Sequence, residues 1–236
     1  MSTRFRQGTR LLILLALGLA AVAAVTLAIE RGPALRLLAL ERVGFDGELA
    51  PLREADLRGV LQGRLDGGLL GVDVAAVRAA VESLPWVASA TVRRVWPDAL
   101  RITVDAQEPV AVWGDVALMN RDADVFRPRQ LPDAALPRLA GPPGSAGRVL
   151  ARYRRLRDML EPLALTPVGL RLDERRAWTL HLAGGGRIRL GRESVESRLA
   201  RLVAAWPQIA ETGERPLALA DLRYPNGFAL RWQDED

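Results

Sequence analysis

The residues able to do chemistry are few. His181 is the single imidazole of the chain, and there is no cysteine. Thiolate nucleophiles, thiolate zinc sites, disulfide scaffolds and multi-histidine metal sites are therefore excluded. A serine–histidine–aspartate relay would have to run through His181. That residue sits between Leu180 and Leu182, opposite to them in phase, which predicts a solvent-facing position on a strand. Asp122-x-Asp124 has the spacing of a metal-binding pair, but it separates two short apolar runs, where turn aspartates belong. Gly184-Gly185-Gly186 could cradle a phosphate only at the start of a helix; a strand-like segment comes next, with no Gly-Lys-Ser/Thr. Gly67-Gly68 with Gly71 lacks phosphate-motif spacing and reads as an interhelical loop. No nucleophile with a base in view remains, so neither an enzyme nor a metal or cofactor site is expected.

Charge is the next possible source of function. Every one of the 33 basic residues is an arginine, which lifts the isoelectric point to about 10.9. Arg4, Arg6 and Arg10 precede the first acid, and the remaining arginines nearly match 28 acidic residues with the signs interleaved. Nucleic-acid binding wants a basic strip, so the pattern argues against it.

Residues 11–29, LLILLALGLAAVAAVTLAI, carry no charge. As a helix they would span about 28 Å, close to the hydrocarbon thickness of a bilayer. The arginines ahead of them predict a cytoplasmic N-terminus for residues 1–10 and export of the chain beyond Glu30. Ala21-Val22-Ala23 also fits a signal-peptide cleavage site, but the apolar run continues through Val25, Leu27 and Ile29. Both readings export the rest of the chain, and the longer run favours a retained anchor.

The elements that must position any site fall into two halves. In residues 30–106, a strand at Val43–Gly47 precedes a helical pattern over 51–65. Asp73 is a candidate N-cap for a second helix with Val74, Val77, Val81 and Leu84 on one face, stopped by Pro85. Strands through Ala90–Val92 and Leu100–Val104 flank a Trp96-Pro97-Asp98-Ala99 turn. The order is β-α-α-β-β. Trp86, between the helix stop and a strand, is expected to pack the second helix on the sheet, its truncation costing about 3–5 kcal/mol.

In residues 107–236, strands over 110–113, 117–119 and 125–126 lead into a Pro/Gly-rich loop over 128–147. A helix comes next, with Val149, Leu150, Tyr153, Leu156 and Leu160 on one face. Strands are expected at 168–172, 178–182 and 187–190, then a helix from Val195 to Trp206, then strands at 217–224 and 228–232 joined by Pro225-Asn226-Gly227. The fold class expected is α+β: one N-terminal transmembrane helix, a small β-α-α-β-β domain, and a mixed β-domain with flanking helices. The final strand has no successor to pair with, so it should form a sheet edge. Phe228, Leu230 and Trp232 alternate along it as an apolar row suited to β-augmentation, in which a partner segment adds a strand.

Leu84-Pro85-Trp86-Val87, the run Ala90-Thr91-Val92-Arg93-Arg94-Val95-Trp96-Pro97-Asp98-Ala99-Leu100, and Glu108-Pro109-Val110-Ala111-Val112-Trp113-Gly114 together resemble the POTRA signature of the FtsQ/DivIB family of bacterial division proteins. Arg175-Arg176-Ala177-Trp178, Leu190-Gly191-Arg192 and Asp221-Leu222-Arg223-Tyr224 with Asn226-Gly227 and Trp232 resemble its C-terminal domain. The resemblance implies a non-catalytic divisome scaffold, single-pass in the inner membrane with a periplasmic C-terminal domain, concentrated at the division septum. It implies FtsB and FtsL as partners, alongside other divisome membrane proteins, and a link from early division proteins to septal peptidoglycan synthesis. It also implies that Arg175, Arg223, Tyr224, Asn226, Gly227 and Trp232, with Phe228 and Leu230 of the last strand, meet FtsB. The two arginines would converge on one acidic partner side chain. From the residues alone, Tyr224 and Trp232 could equally be core residues and the arginines solvated.

Overall fold

The structure is a computed structural model that describes residues 22–23, 39–50, 52–163, 165–212 and 216–233. Val22 and Ala23 are helical; the rest of the expected transmembrane span, 11–29, and the N-terminal residues 1–10 lie outside the described residues. Among the described residues no helix is long and apolar enough to cross a membrane. The chain divides into two units, residues 1–106 and 107–236.

The first unit contains β1 (Arg42–Gly47), α1 (Glu54–Leu61), α2 (Val74–Glu82), β2 (Val87–Val95) and β3 (Ala99–Ala106), the expected β-α-α-β-β order. The sheet order is β1-β3-β2, with β1 parallel to β3 and β2 antiparallel to it. A parallel pair needs a long crossover, which the two helices and β2 supply. At the end of β1, Gly47 takes φ +99, and a Cβ there would collide with the Val104 carbonyl, so only glycine fits. Asp73 caps α2 as expected, its carboxylate accepting from the amides of Ala75 (2.9 Å) and Ala76 (3.1 Å). The first helix is shorter than its periodicity suggests. It stops at Leu61, with Gly63 and Gly67 beyond it in left-handed conformations. A single helical turn, Gly68–Gly71, comes after them; Arg94 of β2 donates to the Leu69 and Val72 carbonyls, 2.7 Å each, and ties this turn to the sheet. Leu57, Leu61, Val77, Val81, Leu100, Ile102 and Val104 form the core. Trp86 does not pack in that cluster. It is half-buried, and Leu84 is the residue next to Pro85 that packs against the core.

The second unit is a nine-stranded mixed sheet: β4 (Pro109–Trp113), β5 (Ala117–Asn120), β6 (Val125–Phe126), β7 (Arg138–Ala140), β8 (Pro167–Leu172), β9 (Trp178–Leu182), β10 (Arg187–Gly191), β11 (Leu217–Asp221) and β12 (Ala229–Trp232). Their spatial order is β12-β11-β10-β9-β8-β7-β4-β5-β6. The parallel pairs β7–β8 and β10–β11 are each bridged by a helix, α3 (Ala146–Leu160) and α4 (Val195–Thr212). The face of α3 predicted from its periodicity, Val149 to Leu160, is buried as a block. Arg152 of α3 lies 4.8 Å above the Trp178 ring and pairs with Glu196 of α4 at 3.3 Å, linking both helices to β9.

Three elements depart from the sequence reading. β7 lies inside the Pro/Gly-rich stretch read as loop; three residues are too few to show alternation, and pairing with β4 and β8 on either side imposes the strand. Helix α4 continues past Pro207 to Thr212 instead of ending at Trp206, because proline removes one amide donor but does not forbid the turn beyond it. Strand β11 ends at Asp221, so the connection to β12 is longer than an Asn-Gly hairpin.

Candidate partner-binding site

The sheet order places β12 at an edge, with β11 as its one neighbour. Pairing runs Leu217↔Trp232, Leu219↔Arg231, Ala220↔Leu230 and Asp221↔Ala229, with an irregularity between Leu217 and Leu219. The strand is fastened beyond its end: the Gln233 amide N–H donates to the Pro216 carbonyl (3.0 Å), and its side chain donates to the Gly184 carbonyl (2.7 Å).

Side-chain alternation corrects the expected apolar row. Phe228, Leu230 and Trp232 turn inward and pack on the core, with the Trp232 ring 6.3 Å from that of Trp206. Ala229 and Arg231 face outward. The row therefore belongs largely to the domain itself, and what β12 offers along its outer side is backbone.

The connection from β11 to β12 is shaped by arginines. The Leu222 amide donates to the Arg189 carbonyl (2.9 Å), extending the β10 contact by one residue. Asp221, only 7% exposed, accepts from Arg223 Nε (2.8 Å) and Nη2 (2.5 Å), and from the Arg223 amide (3.2 Å). This fork explains why the strand stops: the residue that would continue it folds back on Asp221. Arg223's hydrogen bonds hold the Asp221 carboxyl below the usual aspartate range, and Asp221 in turn raises the Arg223 guanidinium. From α4, Arg201 donates to the carbonyls of Tyr224 (3.2 Å) and Pro225. The loop backbone is thus held while the Tyr224 ring stands 56% exposed. Asn226 is exposed, and a Cβ on Gly227 would meet nothing within 4 Å among the described residues beyond its chain neighbours.

Arg175 is exposed in the turn between β8 and β9. The Asp173 side chain accepts from the Ala177 amide (2.7 Å) and fixes that turn. The turn and the end of β11 lie at the same end of the sheet, on strands β9 and β11 separated by β10, about 10 Å apart. The arginines share an end of the sheet, but they are not equivalent. Arg223 is engaged by Asp221, whereas Arg175 makes no ion pair with a described residue.

Comparison with known proteins now decides the family. Residues 111–223 match the family "Cell division protein FtsQ/DivIB, C-terminal", and residues 38–105 match "POTRA domain, FtsQ-type". The chain is 41% identical over 198 residues to Cell division protein FtsQ of Burkholderia pseudomallei, covering 82% of this chain and 79% of that one. The chain belongs to the FtsQ/DivIB family. Cell division protein FtsQ of Allochromatium vinosum is 39% identical over 234 residues, covering 98% of this chain and 91% of the relative. The two family matches fall one in each unit, and the FtsQ/DivIB match ends at Arg223, just before the exposed tyrosine and the edge strand.

Among the sequence-based expectations Asp221 figures only as part of a motif and Arg198 and Arg201 not at all, yet all three organise this end of the domain. Arg198 donates to the Leu190 carbonyl (2.8 Å), and Gly191, at φ +77, leaves the room its guanidinium occupies. Spacing of three along α4 shows the two arginines to be near one face, but their carbonyl partners, Leu190 in β10 and Tyr224 and Pro225 in the β11–β12 connection, leave no local signal. The remaining candidates resolve as structure. Asp122 and Asp124 direct their amides to the Asn120 side chain, 2.9 Å each, in a turn. His181 is half-buried, less open than its phase suggested.

Proposed function

We propose that this cell division protein is a non-catalytic scaffold that captures FtsB, and through it FtsL, along the outer edge of β12. The observation that carries the reading is a terminal strand fastened by neighbouring side chains, with no partner on its outer side among the described residues and an exposed tyrosine at its entrance. A partner strand added there would gain its affinity from backbone hydrogen bonds. Tyr224, Asn226 and Gly227 would meet the partner ahead of the strand, Arg231 would flank it, and Arg175 would supply an uncommitted charge for an acidic side chain. Phe228, Leu230 and Trp232 would act chiefly by keeping the edge in place.

In this reading residues 11–29 anchor the chain in the inner membrane with the N-terminus cytoplasmic, and both folded units work in the periplasm at the septum. There the complex joins early division proteins to peptidoglycan synthesis, in company with other divisome membrane proteins. The test is co-purification of FtsB with the full chain. Tyr224→Ala should abolish capture while shifting stability by no more than about 0.5 kcal/mol, as for an exposed side chain. Arg175→Glu should weaken it clearly. Normal capture by both folded variants would place the partner elsewhere.

A further inference from the structure

Both helices of the second unit pack on one face of its sheet, and among the described residues the register partners on the other face from β7 to β12 have no helical cover. One row across that face runs Arg138, Gly169, His181, Arg187, Leu219, Arg231, each residue the register partner of the next. Two residues along, the next row contains Arg171 and Arg189. Arg189 is 3.8 Å from Asp221, which Arg223 already occupies. Arg138, Arg171, Arg187 and Arg231 are exposed, and none makes an ion pair with a described residue. Asp221 lies in that same second row but is already held by Arg223, so the uncommitted charge on this face is carried by a stripe of four arginines, Arg138, Arg171, Arg187 and Arg231.

The stripe also has relief. A recess of about 850 Å³ opens among Arg138, Gly169, Arg171 and His181. Gly169 forms its floor; a Cβ there would come 2.7 Å from the Arg138 carbonyl. Acids enter the lining only from the turns after β4 and β8, at Asp115, Asp173 and Glu174. Burial, then the charges of Arg187 and Arg171, push the His181 pKa down.

We propose that this face binds an acidic, extended segment of a partner polypeptide, its carboxylates paired with Arg138, Arg171, Arg187 and Arg231. Five strand spacings from β7 to β12 cover roughly 24 Å, the reach of about seven extended residues. Guanidinium forks suit carboxylates at fixed positions. A polypeptide can lower a side chain into the recess, which a flat bilayer surface cannot do. This surface meets the outer edge of β12 at Arg231, and Arg175 borders its recess; its test changes neither residue and uses no FtsB.

The test uses the full chain in detergent with a fluorescent oligo-glutamate peptide, and phosphatidylglycerol vesicles in parallel. Binding of the peptide should weaken steeply with salt. The double variant Arg171→Glu/Arg187→Glu should lose about tenfold or more in affinity, two exposed charge contacts being reversed. Arg148→Glu/Arg155→Glu, which makes the same charge change on α3, should leave binding unaltered. If the reversal disturbs folding by circular dichroism, Arg171→Gln/Arg187→Gln should show the same loss in weaker form. Equal loss in the α3 variant would reduce the effect to net charge and overturn the proposal. So would peptide affinity that neither stripe variant changes, or stripe-dependent binding to vesicles without binding to the peptide.

Discussion

The two edges of the nine-stranded sheet solve the same problem in opposite ways. At one, β6 is two residues long and comes after a turn in which the Asn120 carboxamide accepts two amides and its NH₂ donates to Asp124. Phe126 is buried, and so short a strand offers no template for another chain. At the other, β12 is twice as long and is supported from outside itself: by Arg201 before it, Gln233 beyond it, and Trp206 beneath it. Brevity closes an edge, whereas borrowed side-chain support keeps one open and in place. The contrast separates a strand that only completes the sheet from one suited to being extended.

The comparison can be broken most directly at β6. Phe126→Ala should lower unfolding free energy by about 3–4 kcal/mol, as for truncating a buried phenylalanine. Urea unfolding would measure this, and the protein that remains folded should capture FtsB normally. Trp232→Ala should cost less, about 2–3 kcal/mol, because the ring is only partly buried. Here, however, stability and capture should fall together, since the indole holds the edge strand on Trp206. Capture that survives Trp232→Ala would remove β12 from the interface.

The smallest effect concerns Asp221. Replacing it with asparagine should cost about 2 kcal/mol, the range for a buried hydrogen-bonded charge. Its folded pKa lies below the unfolded value, chiefly through Arg223's hydrogen bonds. The stabilisation is therefore fully present above about pH 4 and fades as the pH falls through the lower folded value. Unfolding curves of Asp221→Asn and the native chain should converge in acid; parallel curves would show that the fork contributes nothing.

Much of this was legible in the sequence, and the exceptions share a cause. The buried face of α3, the cap at Asp73 and the edge position of the last strand all come from local spacing or chain order. Strand β7 is not visible locally, because its neighbours on both sides create it. Arg201 looks like any solvated helix arginine until the β11–β12 connection passes over it. Trp86 misled for the reverse reason: a large aromatic between a helix stop and a strand suggests a core residue, yet Leu84 fills that place. At the candidate site, residue types were readable, but the fork that commits Arg223 and the inward turn of Phe228, Leu230 and Trp232 depend on tertiary register.

The parallel pairing of β1 with β3 has a mechanical consequence. The chain enters the first unit through β1 and leaves it through β3, and the two strands lie side by side over Arg42–Gly47 and Ala99–Val104. Tension applied between the start of β1 and the end of β3 would slide one strand along the other, loading the hydrogen bonds of the ladder together. An antiparallel arrangement of the same ends would open like a zipper, one bond at a time. Forced rupture is governed by the unfolding rate, and loading in shear raises the force at which that rate becomes appreciable. A chain pulled at those two points would transmit the force through this unit before yielding to it.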